Sequence, residues 1–289
     1  MVRVVLILVA VLAVAGCAGG GAPPQGPPGS VPPACPDTVD PAALACRINA
    51  GEAAFRGGTR TDAAEAGARL QAAYRDLAEH PEWDAAVLGA VGPELRDQVG
   101  HAVAAARELT SLAGAPSPTM PPWRIVDPLP GEALRGFYDE GQRRFGVRWS
   151  VLAAINLVET RMGRIVGTST AAAQGPMQFI PTTWASYGMG GDVWQPRDAI
   201  LGAANYLAAN GGASDATLDR ALKRYNNDVR YVRAVRHYAA MMDADPRAFD
   251  AVHAWPVEYR TTAGDIPLPT GYASDRSVPV QEWLASHPR

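Results

Sequence analysis

The 289-residue chain contains a single lysine, Lys223, so its 26 basic residues are otherwise arginine. Against 29 acidic residues they leave a formal net charge of −3, and no stretch concentrates positive charge. A phosphate backbone or an anionic lipid surface would find no basic track to follow, which argues against nucleic acid as a partner. Signatures of several chemistries are missing too. There is no Gly-x-Ser-x-Gly elbow, no His-Glu-x-x-His and no Cys-x-x-Cys, and Gly19-Gly20-Gly21 follows no strand pattern. His80 and His101 have no partner at metal-ligand spacing. Neither a cofactor nor a metal is expected. Cysteine is scarce, with 3 residues, and only one long apolar run exists.

That run is at the start. Met1-Val2-Arg3 supplies a short positive region, and residues 4–15 are twelve apolar residues in succession. At ~1.5 Å per residue they cover roughly 18 Å, short of the ~30 Å hydrocarbon core, so the run reads as an export signal over 1–16 and not as a span. Val14-Ala15-Gly16-Cys17 resembles a bacterial lipobox, which implies lipidation at Cys17. The stretch 17–34 is rich in proline and glycine and suits an extended tether holding a domain off a membrane. With Cys17 lipidated, Cys35 and Cys46 remain, and an exported chain favours a disulfide between them over two buried thiols. The expected location is the cell envelope, on the outer face of the cytoplasmic membrane.

The remainder reads as mainly α. Residues 63–79 place Ala66, Leu70, Ala73 and Leu77 at helical steps, within an alanine-rich helical region over 35–115. That region carries no catalytic motif and is a candidate surface for a cell-wall protein partner. Pro116-Ser117-Pro118-Thr119-Met120-Pro121-Pro122 reads as a stiff linker. The longer period returns at 131–145, 149–161, 196–209, 215–225 and 228–242, inside a second domain over 123–245. From 246 to 289 proline, glycine and threonine with scattered aromatics predict an extended tail.

Residues 149–160 are apolar nearly all round, broken only by Asn156 and Glu159. A carboxyl near the end of such a helix is desolvated, which favours its protonated form and suits it to general acid work. Its pKa is expected to rise toward ~6 and to govern the acid limb of activity. A glycine-punctuated polar stretch follows, with Gly175-Pro176-Met177-Gln178-Phe179-Ile180-Pro181 and then Trp184, and Tyr225-Asn226 comes later. Taken in order, the glutamate-ending helix, the Gly-Pro-Met-Gln-Phe-Ile-Pro block and the Tyr-Asn pair resemble the catalytic domain of bacterial lytic transglycosylases, most closely the membrane-bound type B group with its lysozyme-like α fold.

The resemblance implies Glu159 as the single acid/base, Gln178 as a sugar-binding side chain, Ser169 as a hydroxyl assisting the substrate acetamido group, and Tyr225 and Asn226 closing the cleft. It implies glycan strands of peptidoglycan as substrate, cleaved between MurNAc and GlcNAc to leave 1,6-anhydro-MurNAc ends. One departure concerns metal. Members of that type often carry an Asp-Gly-Asp-Gly loop, whereas this chain has Tyr187-Gly188-Met189-Gly190-Gly191-Asp192, too few oxygens for calcium. No acidic residue lies between 160 and 191, and although Asp192, Asp198, Asp215, Asp219 or Asp228 can fold back, a lone glutamate suits substrate assistance better than a carboxylate pair. Trp184, Tyr187, Trp194 and Tyr206 are candidates for stacking on sugar faces. Two alternatives stay open from sequence: a hydrolytic muramidase of the same fold, and a catalytically silent glycan-binding or scaffold lipoprotein of the envelope.

Overall fold

A computed structural model describes residues 35–36, 38, 40–57, 60–169 and 171–287. Cys17, the export signal and the tether lie outside the described residues. In chain order the elements are α1 (Pro41–Gly57), α2 (Arg60–Glu79), α3 (Asp84–Ala90), α4 (Arg96–Ala113), β1 (Thr119–Met120), β2 (Arg124–Ile125), α5 (Gly131–Phe145), α6 (Trp149–Thr160) and β3 (Ile165–Val166). Then come α7 (Pro181–Tyr187), α8 (Pro196–Ala209), α9 (Asp215–Tyr225), α10 (Val229–Ala244), α11 (Ala248–His253), β4 (Val257–Thr261), β5 (Gly264–Leu268), β6 (Val278–Pro279) and α12 (Val280–Ser286). The fold is mainly α, as the periodicity implies.

Local chemistry sets the ends of these helices. Pro41, Pro181 and Pro196 open α1, α7 and α8, where a missing N–H leaves no bond unmade. Asp228 caps α10 by accepting the Arg230 amide at 2.8 Å. Gly146 ends α5 in the left-handed conformation at φ 74°.

Helix α6 is the axis of the helical core. Leu152, Ala153, Ala154 and Ile155 are fully buried, and the surrounding wall comes from α5, α8, α10 and α11. Helix α4 packs along α10, so one apolar cluster runs from Leu44 and Leu70 of the N-terminal helices to Ile155 and Tyr231. At that contact His101 and His237 bring their Nδ1 atoms to 3.1 Å. His80 instead meets Glu82 at 3.0 Å and stacks on Trp83.

A second, smaller core lies under three short antiparallel ladders and includes Met120, Ile125, Ile165, Ile266 and Leu268. Segment 116–122, expected as a stiff linker, takes part in it. Ser117 bridges Thr261, and β1 pairs with β6 in the register Thr119 to Pro279. The stretch expected as an extended tail over 246–289 forms, within its described residues, α11, the β4–β5 hairpin, β6 and α12. Ion pairs tie the hairpin to α2, where Arg75 binds Glu258 and reaches Asp265 at 3.4 Å. Among the described residues no helix is long and apolar enough to cross a membrane.

Cys35 and Cys46 are joined in a disulfide that anchors the start of the described chain to α1, with Cα atoms 5.7 Å apart. Closing a loop this short restricts the unfolded chain by about 3 kcal/mol. Replacing both cysteines by serine is expected to lower the unfolding free energy by roughly that amount in urea titrations, with the helical content unchanged.

Candidate active site

The end of α6 carries an unusual turn. Arg161 and Met162 adopt φ 54° and 61°, followed by Gly163 at 83°. A left-handed conformation in a residue with a side chain costs ~1–2 kcal/mol, so the turn persists only because its surroundings fix it. The Arg161 N–H donates to Leu157 O and the Met162 N–H to Asn156 O, each at 3.1 Å, while the Gly163 N–H donates to Thr160 Oγ1 at 3.1 Å. This arrangement stops the helix one residue past Glu159 and turns the chain away from it.

Asn156 and Thr160, both buried, flank Glu159 along the helix. Asn156 Nδ2 and Thr160 Oγ1 donate to the same acceptor, Pro176 O, at 2.8 and 2.6 Å. Asn156 Oδ1 accepts from the Tyr138 hydroxyl at 2.6 Å, and Asn156 Nδ2 also reaches Thr160 Oγ1 at 3.2 Å. Through Pro176 the network fastens the 174–179 loop to α6. Gly175 suits that close approach: its φ is 71°, and a Cβ there would sit 1.9 Å from Val193 O. Asn156 breaks the apolar helix visibly in the sequence, yet sequence reasoning gave it no role.

The Glu159 carboxyl is half-buried and accepts a hydrogen bond from the Tyr231 hydroxyl of α10 at 2.8 Å. Tyr231 is wholly buried and stacks parallel to Tyr225 with ring centres 6.4 Å apart. Burial pushes the Glu159 pKa up to about 7, against which the Tyr231 bond pulls downward. No charged neighbour enters that balance. Desolvation, then the nearby Glu159 charge, in turn raise the phenols of Tyr225 and Tyr231 well above their usual range. A carboxyl that acts by giving up a proton works below its pKa. It therefore sets the alkaline limb of a pH profile, which corrects the acid limb expected from sequence.

The other sequence candidates fall into place unequally. Tyr225 lies beside the glutamate, its hydroxyl donating to Met177 O at 2.6 Å. Asn226 is buried at the end of α9, its N–H donating to Leu222 O. Gln178, itself at φ 51°, donates from Nε2 to Gly175 O at 3.0 Å and to Gly167 O at 3.4 Å, so its amide braces two loops. Ser169 Oγ accepts the amides of Ala171 and Ala173, each at 3.2 Å, and shapes its own turn. Tyr231, the partner that Glu159 uses, was missed, since a tyrosine within an amphipathic helix reads as core.

The candidate stacking aromatics also divide. Tyr187, Tyr206 and Tyr225 pack edge to face in series, and Trp184 packs on Phe179. Trp194 stands apart, 43% exposed. It lines two adjoining cavities of about 760 and 420 Å³, which share Arg124 and Val166 with it. Asn156, Gly175 and Pro176 line the smaller one; Glu159 lines neither, being on the tyrosine side of the loop. Asp192 and Asp198 accept backbone amides, of Trp194 at 2.9 Å and of Asp192 at 3.0 Å.

The chain is similar to a known protein. Over 147 residues the chain is 31% identical to the membrane-bound lytic murein transglycosylase F of Thiobacillus denitrificans (strain ATCC 25259 / T1), an alignment covering 48% of this chain and 31% of that protein. The similarity is to a lytic transglycosylase. The chain spans about a third of the length of that relative, which is a transglycosylase F where the sequence blocks resemble type B. No family model matches the chain, and no solved structure does.

Asn156→Ala removes the acceptor of Tyr138 and one of the two donors to Pro176 O. It is expected to cost about 3 kcal/mol of stability in urea titrations, as a buried hydrogen-bonded group loses its partners, whereas Glu159→Gln is expected to leave stability within about 1 kcal/mol of the parent.

Proposed function

We propose that this chain is a peptidoglycan lytic transglycosylase in which Glu159 is the sole acid/base. The observation that carries the reading is the pairing of a half-buried carboxyl, held near pKa 7, with a phenol instead of a second carboxylate. The aspartates that the sequence offered as partners are engaged elsewhere. Asp215 and Asp219 bind Arg236, Asp228 binds Arg230, and Asp192 and Asp198 hold backbone amides. No carboxylate enters the balance that sets the Glu159 pKa, whereas two-carboxylate glycosidases hold a pair ~5 to 9.5 Å apart.

The chemistry then runs through one proton. Glu159, protonated, donates to the oxygen bridging MurNAc and GlcNAc as the glycosidic bond breaks. The substrate's own acetamido group stabilises the electron-poor carbon, so no protein nucleophile is needed. Glu159, now ionised and stabilised by the Tyr231 hydroxyl, accepts the proton of the muramyl 6-hydroxyl as that oxygen closes on the same carbon. The product is the 1,6-anhydro sugar, and the glutamate returns to its acid form. Closure is intramolecular, so holding the hydroxyl close replaces a second reactant with proximity.

The 31% identical relative supports this reading, as does the order of the sequence motifs. Within it, Gln178, Ser169, Tyr225 and Asn226 contribute to the sugar cleft, the first by bracing its loops and Tyr225 by walling off Glu159. Type B character rests on the sequence blocks alone. Lipidation at Cys17 and an outer-face envelope location belong to the same proposal, with the N-terminal helical region, packed on α10 through α4, as the part open to a protein partner.

Glu159→Gln is expected to abolish release of soluble fragments from purified peptidoglycan. Mass spectrometry of the wild-type products should give anhydro-muropeptides; fragments heavier by one water would instead identify hydrolysis. With wild-type protein the rate should hold at low pH and fall as pH rises through about 7, because the acid form is the active one. Tyr231→Phe removes a donor that favours the carboxylate, so the fall should move upward by about one pH unit. A fall that stays in place would detach Tyr231 from the acid.

A further inference from the structure

Strand β2 is paired on both edges. Arg124 faces Val166 of β3 on one side and forms an antiparallel bridge with Ala273 on the other. The Ile125 N–H donates to Tyr272 O at 2.8 Å, and the Ser274 N–H donates to Trp123 O at 2.9 Å, which fixes that second register. Residues opposite one another in a ladder, and those two positions further along, share one face. Within the ladder Val166, Arg124 and Ala273 share a face, and they line the 760 Å³ cleft together with Thr168 and Asp275, just beyond the ladder, and with Trp123 and Ser274. The exposed indole of Trp194 also lines it.

Two opposite charges thus share a small wall without neutralising each other. Arg124 and Asp275 form no ion pair together or with another side chain among the described residues, although most arginines of the protein are paired. The residue bridged to Arg124 is Ala273, whose side chain is a single methyl, and both residues are exposed. A guanidinium binds a carboxylate in a two-pronged geometry, and a carboxylate accepts from an ammonium. A face offering both, with an apolar ring nearby, matches a group that carries an ammonium and a carboxylate on one carbon. Sugar hydroxyls and acetamido groups need neither charge.

We propose that this cleft binds the peptide borne by the glycan strand, at an amino acid whose ammonium and carboxylate are both free. Arg124 takes the carboxylate, Asp275 the ammonium, and Trp194 covers the methylene stem. The identity of the peptide rests on the peptidoglycan reading; the charge pattern of the face does not. Gln178 connects the two sites, because its amide donates both to Gly167 O in the cleft wall and to Gly175 O in the loop beside Glu159. A peptide seated on this face is held in fixed relation to the glycosidic bond, which makes the face a determinant of which muramyl residue is cut.

The test is calorimetric titration of the folded full chain with the tripeptide L-Ala-γ-D-Glu-meso-diaminopimelate, whose side chain ends in such a group. A second probe is the same peptide with that end carboxylate amidated. Wild type should bind the first at least tenfold more tightly than the second, and Arg124→Gln and Asp275→Asn should each weaken the first by roughly tenfold, the usual effect of losing one charged hydrogen-bonded contact. In Arg124→Gln the amidated and free peptides should bind alike. Absence of tripeptide binding to wild type, or binding unchanged in both variants, overturns the proposal. So does an equal loss for a peptide-free chitooligosaccharide, which would assign the face to sugar. Titration needs no turnover, so continued cleavage by Glu159→Gln would overturn the catalytic reading without touching this one.

Discussion

A single carbonyl organises the site. Pro176 O receives hydrogen bonds from Asn156 and Thr160, which stand one helical turn apart on either side of Glu159. Both side chains are fully buried, so neither can exchange this acceptor for water without leaving a polar group stranded. The bond pair holds the 174–179 loop on α6 and, with it, Met177 O, where Tyr225 is fastened. Thr160 also accepts the Gly163 amide, so the same group stabilises the left-handed turn that ends the helix. Loop, helix terminus and aromatic wall are thereby set by one cluster of neutral hydrogen bonds. Neutral groups are suited to this, since a charged brace would shift the titration of the carboxyl between them.

The tyrosines complete the electrostatic arrangement. Tyr231 offers a proton to Glu159, and the stacked Tyr225 excludes water from one side. A phenol stabilises the carboxylate less than a cation would, so burial prevails and the acid keeps its proton to about pH 7. The strength of that donor is matched to a group that must both give and take the same proton. Arg161 is adjacent in sequence but its side chain is directed to Trp255, 5.9 Å from the ring centre, so its charge is kept on the far side of the turn.

The helical part of this architecture was readable because it is encoded locally. The stretches 131–145, 196–209 and 215–225 carry the apolar period, the first two with glycine or proline at an end and the third after Ser214, and they form helices with those same bounds. The disulfide followed from the scarcity of cysteine in an exported chain, and the prominence of Glu159 from the one carboxyl in an apolar helix. Long-range pairing has no such local signature. β1 meets β6 across some 160 residues of chain, and β4–β5 contains Pro267 within a five-residue strand, so neither displays sustained alternation. Tyr231 escaped for a related reason: its spacing with Tyr238 describes the buried face of α10, and only the approach of α6 turns one of the two into a partner for the acid. Ser169 was visible in the sequence, and the two amides its Oγ accepts, which fix the hydroxyl in its loop, were not.

Direct titration of the Glu159 carboxyl tests the central claim. The carboxyl ¹³C resonance of Glu159, assigned by its loss in Glu159→Gln and followed from pH 4 to 9, should move with a midpoint near 7. A midpoint in the ordinary glutamate range, ~4.3, would mean that the group is ionised at neutral pH and has no proton to give.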